Sequence, residues 1–313
     1  MTYQNETKFH EPVFVSEVLQ YLKVKPGGKY IDATVGGGGH SAAIIDNGGI
    51  LLGIDVDPGA LSFAEARLAA NSKRNPSSTK SRRSRETQNT KLIRGSYRNL
   101  KTIAERNNFS HVDGILFDLG MSTWQIKKSG LGFSFMANEP LDMRMDPKLK
   151  VTAADLVNGL SEKELVKLFI TYGNEVNAKR IAKNIINARH LTPITHTLQL
   201  VEVIGYWRRR NSTAGKIHPA TKVFQALRVA VNDELNSLRT ALPEAIKLLT
   251  KEGRLVVISF HSLEDRIVKQ FLKEQVKLNR VRILTPKPIT PSTDEVDRNP
   301  SARSAKLRAA EKI

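Results

Sequence analysis

At 313 residues and 40% hydrophobic content, the chain is long enough for a sizeable core and for two domains, or one carrying an insertion. It has no cysteine, which excludes disulfides, thiolate metal sites and cysteine nucleophiles, and no apolar run reaches the roughly 18 residues that span a bilayer. A net charge of +18, with a pI near 10.0, points to a polyanionic partner and to nucleic acid first.

The first residues, Met1-Thr2-Tyr3-Gln4-Asn5-Glu6, lack the charged and apolar regions of a signal peptide, so a cytoplasmic location is expected. A first helix places Val15, Val18, Leu19 and Leu22 on one face and stops at Pro26-Gly27-Gly28. Then comes the stretch that dominates the reading, Tyr30-Ile31-Asp32-Ala33-Thr34-Val35 followed by Gly36 to Gly39 and His40-Ser41. A strand, a glycine turn and a helix N-terminus in succession let backbone approach a ligand closely and offer it unpaired N–H groups. A second strand, Ile50 to Asp55, ends in an acid 19 positions after Gly36, close to the offset of about 20 at which a carboxylate meets ribose hydroxyls. This is an adenosine-binding half-fold. The third glycine of a dinucleotide fingerprint is Ser41 here, which weakens a dinucleotide reading.

Pro58 suits the first turn of a helix through Leu61, Ala64, Leu68 and Ala69. Asn71 to Lys91 then carries seven basic residues against Glu86 alone, without periodicity, and reads as a mobile basic insertion. A third strand at Leu92 to Gly95 precedes Tyr97. A fourth, Val112 to Asp118, puts an acid at the carboxyl end of a buried strand, where open α/β sheets bind ligands. From about Leu131 to Ile217 the α/β alternation gives way to a small inserted helical domain, with a capping box at Ser161 and Glu164 and an Arg208-Arg209-Arg210 cluster after Trp207. At His218-Pro219 the α/β pattern is expected to resume, giving a sheet domain of residues 1–130 and 218–313. A strand over Gly253 to Phe260 runs into a helix opened by His261. Residues 285–300, with four prolines, read as a loop, and the alternation of Ala305, Leu307 and Ala309 as a closing edge strand.

Several of these stretches match one family. They are Asp32-Ala33-Thr34 with Gly38-Gly39-His40-Ser41, Asp113 to Gly120, Pro140 to Asp146, His218-Pro219-Ala220-Thr221 with Phe224 to Arg228, Ser259 to Arg266, and Ala302 to Arg308. Together they resemble the family of 16S rRNA cytosine-N4 methyltransferases, over nearly the whole chain. The resemblance implies a class I S-adenosylmethionine-dependent methyltransferase: a Rossmann-like α/β fold, with a mostly parallel seven-stranded sheet and an inserted helical substrate-recognition domain. It implies S-adenosyl-L-methionine as cofactor and 16S rRNA within the small ribosomal subunit as partner, and no residue is assigned to a metal. The target it implies is N4 of cytosine-1402, and a monomer or homodimer is expected. Cofactor contacts carry over onto Gly38, Gly39, His40, Asp55, Tyr97, Asp118 and Gln125. The family usually has Phe near Tyr97, and Ser-Ser-Pro-Gln where this chain has Ser122-Thr123-Trp124-Gln125.

Chemistry narrows the roles. Cytosine N4 is a planar, delocalised and poor nucleophile, so a site must accept its hydrogens and align it with the methyl group. Asp118 is the candidate catalytic acceptor, with Asp142 and His261 behind it, and Arg144, Lys222, Arg228 and Arg266 are candidate phosphate contacts. Three rivals stand against this reading. A small-molecule or protein methyltransferase needs neither +18 nor an inserted basic helical domain. A non-catalytic RNA-binding or ribosome-assembly factor has no use for both the glycine turn and the ribose carboxylate. An NAD-dependent oxidoreductase predicts a third glycine in place of Ser41 and a small residue in place of Asp118.

Overall fold

The computed structural model describes residues 12–74, 90–121, 125–126, 129–205 and 218–313. The chain divides into two compact units, Met1–Ser122 with Leu235–Ile313, and Thr123–Glu234. The first unit opens with α1 (Val15–Leu22), β1 (Lys29–Asp32), α2 (Gly39–Asp46), β2 (Ile50–Asp55) and α3 (Pro58–Arg74). It continues through β3 (Thr90–Arg94), α4 (Leu100–Arg106) and β4 (Val112–Asp118). The basic stretch expected as an insertion over residues 71–91 is shorter at both ends. Residues 71–74 extend α3 and residues 90–91 open β3, while 75–89 lie outside the described residues.

The second unit is helical: α5 (Ala153–Gly159), α6 (Glu162–Gly173), α7 (Ala178–Leu191), α8 (Thr197–Ile204) and α9 (Pro219–Val231). Capping boxes start α5 at Thr152 with Asp155 and α6 at Ser161 with Glu164, each pair satisfying two otherwise unpaired N–H groups. The core holds Leu141, Met143, Phe169, Ile181, Ile185 and Leu200. The same cluster contains Val223, Phe224 and Leu227 of α9. The His218 helix therefore packs with the helical unit and not, as expected, with the sheet. Its apolar stripe is continuous with α6, and Gly173 makes the approach possible: a Cβ there would lie 2.6 Å from the Lys222 carbonyl oxygen.

The chain returns to the first unit through α10 (Glu234–Leu248), β5 (Leu249–Ser259), α11 (Ser262–Lys277), β6 (Val281–Ile283), α12 (Thr293–Arg298) and β7 (Lys306–Lys312). The seven strands are ordered β3-β2-β1-β4-β5-β7-β6. The first five are parallel, and β7 runs antiparallel to both β5 and β6. Two sequence expectations are corrected here. The strand at Lys306–Lys312 is not an edge, because it is paired on both sides and its central five residues are buried. The proline-rich loop contains the short helix α12, because residues 292–299 are free of proline and Ser292 caps the Glu295 N–H.

Strand order reverses between β1 and β4, the switch point at which open α/β sheets leave a crevice outside their carboxyl ends. Register then sets three acids near one edge: Asp32 pairs with Leu116 two residues before Asp118, and Asp55 closes β2. Leu51, Ile54, Ile115, Leu116 and Phe117 are wholly buried beneath that edge, each worth about 1.5–3 kcal/mol by removal from water. The acids stand on a rigid floor. No helix among the described residues is long and apolar enough to cross a membrane.

Candidate active site

Residues 33–39 leave β1 by a bond from the Ala33 N–H to the Leu116 carbonyl and another from Val35 to Ile54, both reaching neighbouring strands. The glycine turn then closes with the Gly38 N–H on the Val35 carbonyl at 2.8 Å. Gly36 and Gly38 take φ of +49° and +71°, left-handed values that favour glycine. A Cβ on Gly38 would also lie 3.0 Å from that of Ala64, and one on Gly39 would lie 2.7 Å from Pro12 Cγ. Arg67 of α3 braces the turn from outside by donating from Nη1 to the Gly37 carbonyl at 2.8 Å.

Asp55 answers the turn from the end of β2. Its Oδ2 accepts the Gly36 N–H at 2.8 Å and its Oδ1 the Asp57 N–H at 2.9 Å. Each oxygen keeps a lone pair for a further donor. Burial pushes this carboxyl up to about 6, against the two backbone N–H groups that draw it down, with Asp57 and Asp32 adding to the rise.

Asp32 closes β1 and is buried. Its Oδ2 accepts the Ser41 hydroxyl at 2.7 Å and its Oδ1 the Thr34 N–H at 3.2 Å. Ser41 thus has a partner in the fold, which accounts for a hydroxyl where a dinucleotide fingerprint has glycine. Thr34 also accepts the Asp118 N–H on its Oγ1 at 2.7 Å, tying β4 to the turn. His40 Nε2 lies 3.3 Å from Asp118 Oδ2. Tyr97 follows β3 and sets its ring edge-on to Phe117 at 5.8 Å.

Gly38, Gly39, His40, Asp55, Tyr97 and Asp118 therefore all belong to the first unit. Gln125 belongs to the second, where its backbone carbonyl accepts the Ser129 hydroxyl at 2.6 Å. The next-ranked candidates have structural partners. Asp142 is held by Arg144 in a two-pronged pair at 2.8 and 2.7 Å, and Arg228 grips Glu234 the same way at 2.9 Å on both prongs. Lys222 donates to the Asn174 carbonyl, and His261 is the N-cap of α11 in a capping box with Glu264. Arg266 is exposed. Trp207 and the Arg208 to Arg210 cluster lie outside the described residues. Sequence reasoning gave no role to Asp32, Ser41, Thr34 or Arg67. An acid ending β1 carries the same signal as one ending β4, whereas nothing local marks Arg67.

The donor set suits S-adenosylmethionine. A glycine turn walled by Ala64 and Pro12 leaves a ligand its other side, the Asp55 oxygens can take two hydroxyls, and the acids Asp118 and Asp32 suit a cationic ligand. Sheet order, the antiparallel seventh strand, the glycine turn and the β2 acid define a class I S-adenosylmethionine-dependent methyltransferase. The chain belongs to the MraW methylase family, whose model matches residues 7–313. It is 45% identical to a protein of Thermomicrobium roseum named ribosomal RNA small subunit methyltransferase H, over 97% of this chain and 94% of that one. Proteins of the same name from Persephonella marina and Geobacter sulfurreducens are 45% and 44% identical, each over 97% of this chain and 99% of theirs. S-adenosylmethionine is the cofactor.

Proposed function

We propose that this chain methylates the exocyclic N4 of a cytidine in bacterial 16S rRNA, cytosine-1402 of the decoding region, acting on the small ribosomal subunit in the cytoplasm. The observation that carries the reading is near-full-length identity of 44–45% to proteins named for small-subunit rRNA methylation. The net charge of +18 supports a phosphate-rich partner. The cofactor, when bound, supplies an electrophilic methyl sulfonium. The glycine turn and His40 backbone border its methionine part, Asp55 accepts its ribose hydroxyls, Tyr97 flanks its adenine, and Gln125 adds a polar contact. Asp118 accepts a hydrogen of the target amino group, so that the nitrogen lone pair leaves conjugation and points at the methyl carbon. The base leaves its stack to reach this site. The helical unit, with Arg208, Arg209 and Arg210, holds the RNA, and Arg266 adds a phosphate contact.

Mass mapping of 16S rRNA from a strain lacking this gene tests the reading. Adding the enzyme and cofactor to that strain's small subunits is expected to place one methyl group on one cytidine. An unmodified rRNA would favour a non-catalytic assembly factor.

Asp55→Ala is expected to weaken S-adenosylmethionine binding by about 2–3 kcal/mol, the loss of two hydrogen bonds to a charged acceptor. In the unaltered protein, with the Asp55 carboxyl at about 6, affinity should hold above that pH. It should fall up to about tenfold per unit below, as the acceptor is protonated. Stability of the unliganded fold moves the other way: a raised carboxyl disfavours it above pH 6, and that penalty is relieved as pH falls. Calorimetry between pH 5 and 8 reads both, and a flat affinity would move the ribose elsewhere.

A further inference from the structure

His40 is buried, 5% exposed, yet neither ring nitrogen makes a hydrogen bond among the described residues, and Asp118 Oδ1 also has no partner. Such groups are rare in folded proteins because each loses its water without replacement. Helix capping does not explain the imidazole: the N-cap of α2 is Gly38, and no side chain caps that end. What the ring does meet is charge. Asp118 of β4 stands at 3.3 Å, and the charges of Asp32 of β1 and Glu295 of α12 also act on it. Burial pulls the imidazole down, but these three carboxylates outweigh it and hold it above the ordinary histidine value.

We propose that His40 is the positioning residue of methyl transfer: as an imidazolium on Asp118 Oδ2 it holds and orients that carboxylate, leaving Oδ1 free as the acceptor for the target amino group. This rests on the reading that Asp118 takes a hydrogen of N4. As the N4 lone pair forms the new C–N bond, with the S–C electrons left on sulfur, one N4 proton passes to Oδ1. The imidazolium holds Asp118 Oδ2 in place and stays protonated itself throughout. Activity therefore requires protonated His40, and the rate should fall on the alkaline side as His40 loses its proton.

Imidazole NMR and single-turnover methylation on the full-length enzyme with small subunits test this. His40 is expected to titrate above about 6.5, and to return to or below that value in Asp118→Asn. The His40 signal is assigned as the one missing from the His40→Gln spectrum. His40→Gln is expected to slow transfer by about tenfold or more, lose the alkaline limb of the pH–rate profile, and change cofactor affinity less than about threefold. An unchanged rate or alkaline limb in His40→Gln overturns the proposal. So does a loss of cofactor affinity in proportion to rate, or a His40 titration insensitive to Asp118→Asn. An Asp118→Asn enzyme as fast as the unaltered one overturns the acceptor role beneath it instead.

Discussion

Asp118→Asn is expected to slow methyl transfer by about 10²–10⁴-fold, the range over which a positioned proton acceptor acts. The substitution preserves size, and the contacts that hold the residue in place are backbone ones: its N–H on Thr34 Oγ1 and its pairing with Ile258 in β5. The sheet should therefore fold unchanged. What changes is that one carboxylate oxygen becomes an N–H donor, which cannot accept a hydrogen from an amino group and meets the His40 ring as a neutral partner. Single-turnover rates with saturating cofactor, beside calorimetry of cofactor binding, separate two roles for Asp118. A rate loss at nearly constant affinity assigns it to the target amino group. An equal loss in affinity would make it a cofactor residue alone.

Phe169→Ala is expected to destabilise the helical unit by about 3–5 kcal/mol, a large share of a domain's stability. Phe169 is wholly buried on α6, in one cluster with Val223 and Leu227 of α9 and Ile181 and Ile185 of α7, and its loss leaves a cavity between helices. None of the first-unit groups that suit the cofactor belongs to that cluster. Denaturant titration should show the lowered stability, and rRNA methylation should fail at temperatures where the variant still binds S-adenosylmethionine. Parallel loss of both activities would mean that the two units do not divide RNA and cofactor as proposed.

Local signals in the sequence were enough for the half-fold around the glycine turn. Four consecutive glycines, an acid 19 residues beyond the first of them, and apolar runs ending in Asp32, Asp55 and Asp118 act over single elements or adjacent pairs of them. The capping box at Ser161 and Glu164 is equally local and was legible for the same reason. Tertiary structure decided what depends on partners far away in sequence. An apolar stripe on Pro219–Val231 does not say which core receives it, and packing on α6 across Gly173 placed it in the helical unit. Alternation over Ala305 to Ala310 announces a strand but not its neighbours, and pairing on both sides made it interior. Arg67 meets the Gly37 carbonyl, and His40 meets Asp118 of β4 and feels the charges of Asp32 of β1 and Glu295 of α12, only because the fold brings them together. Backbone preference is written residue by residue, whereas burial and charge pairing belong to the folded chain.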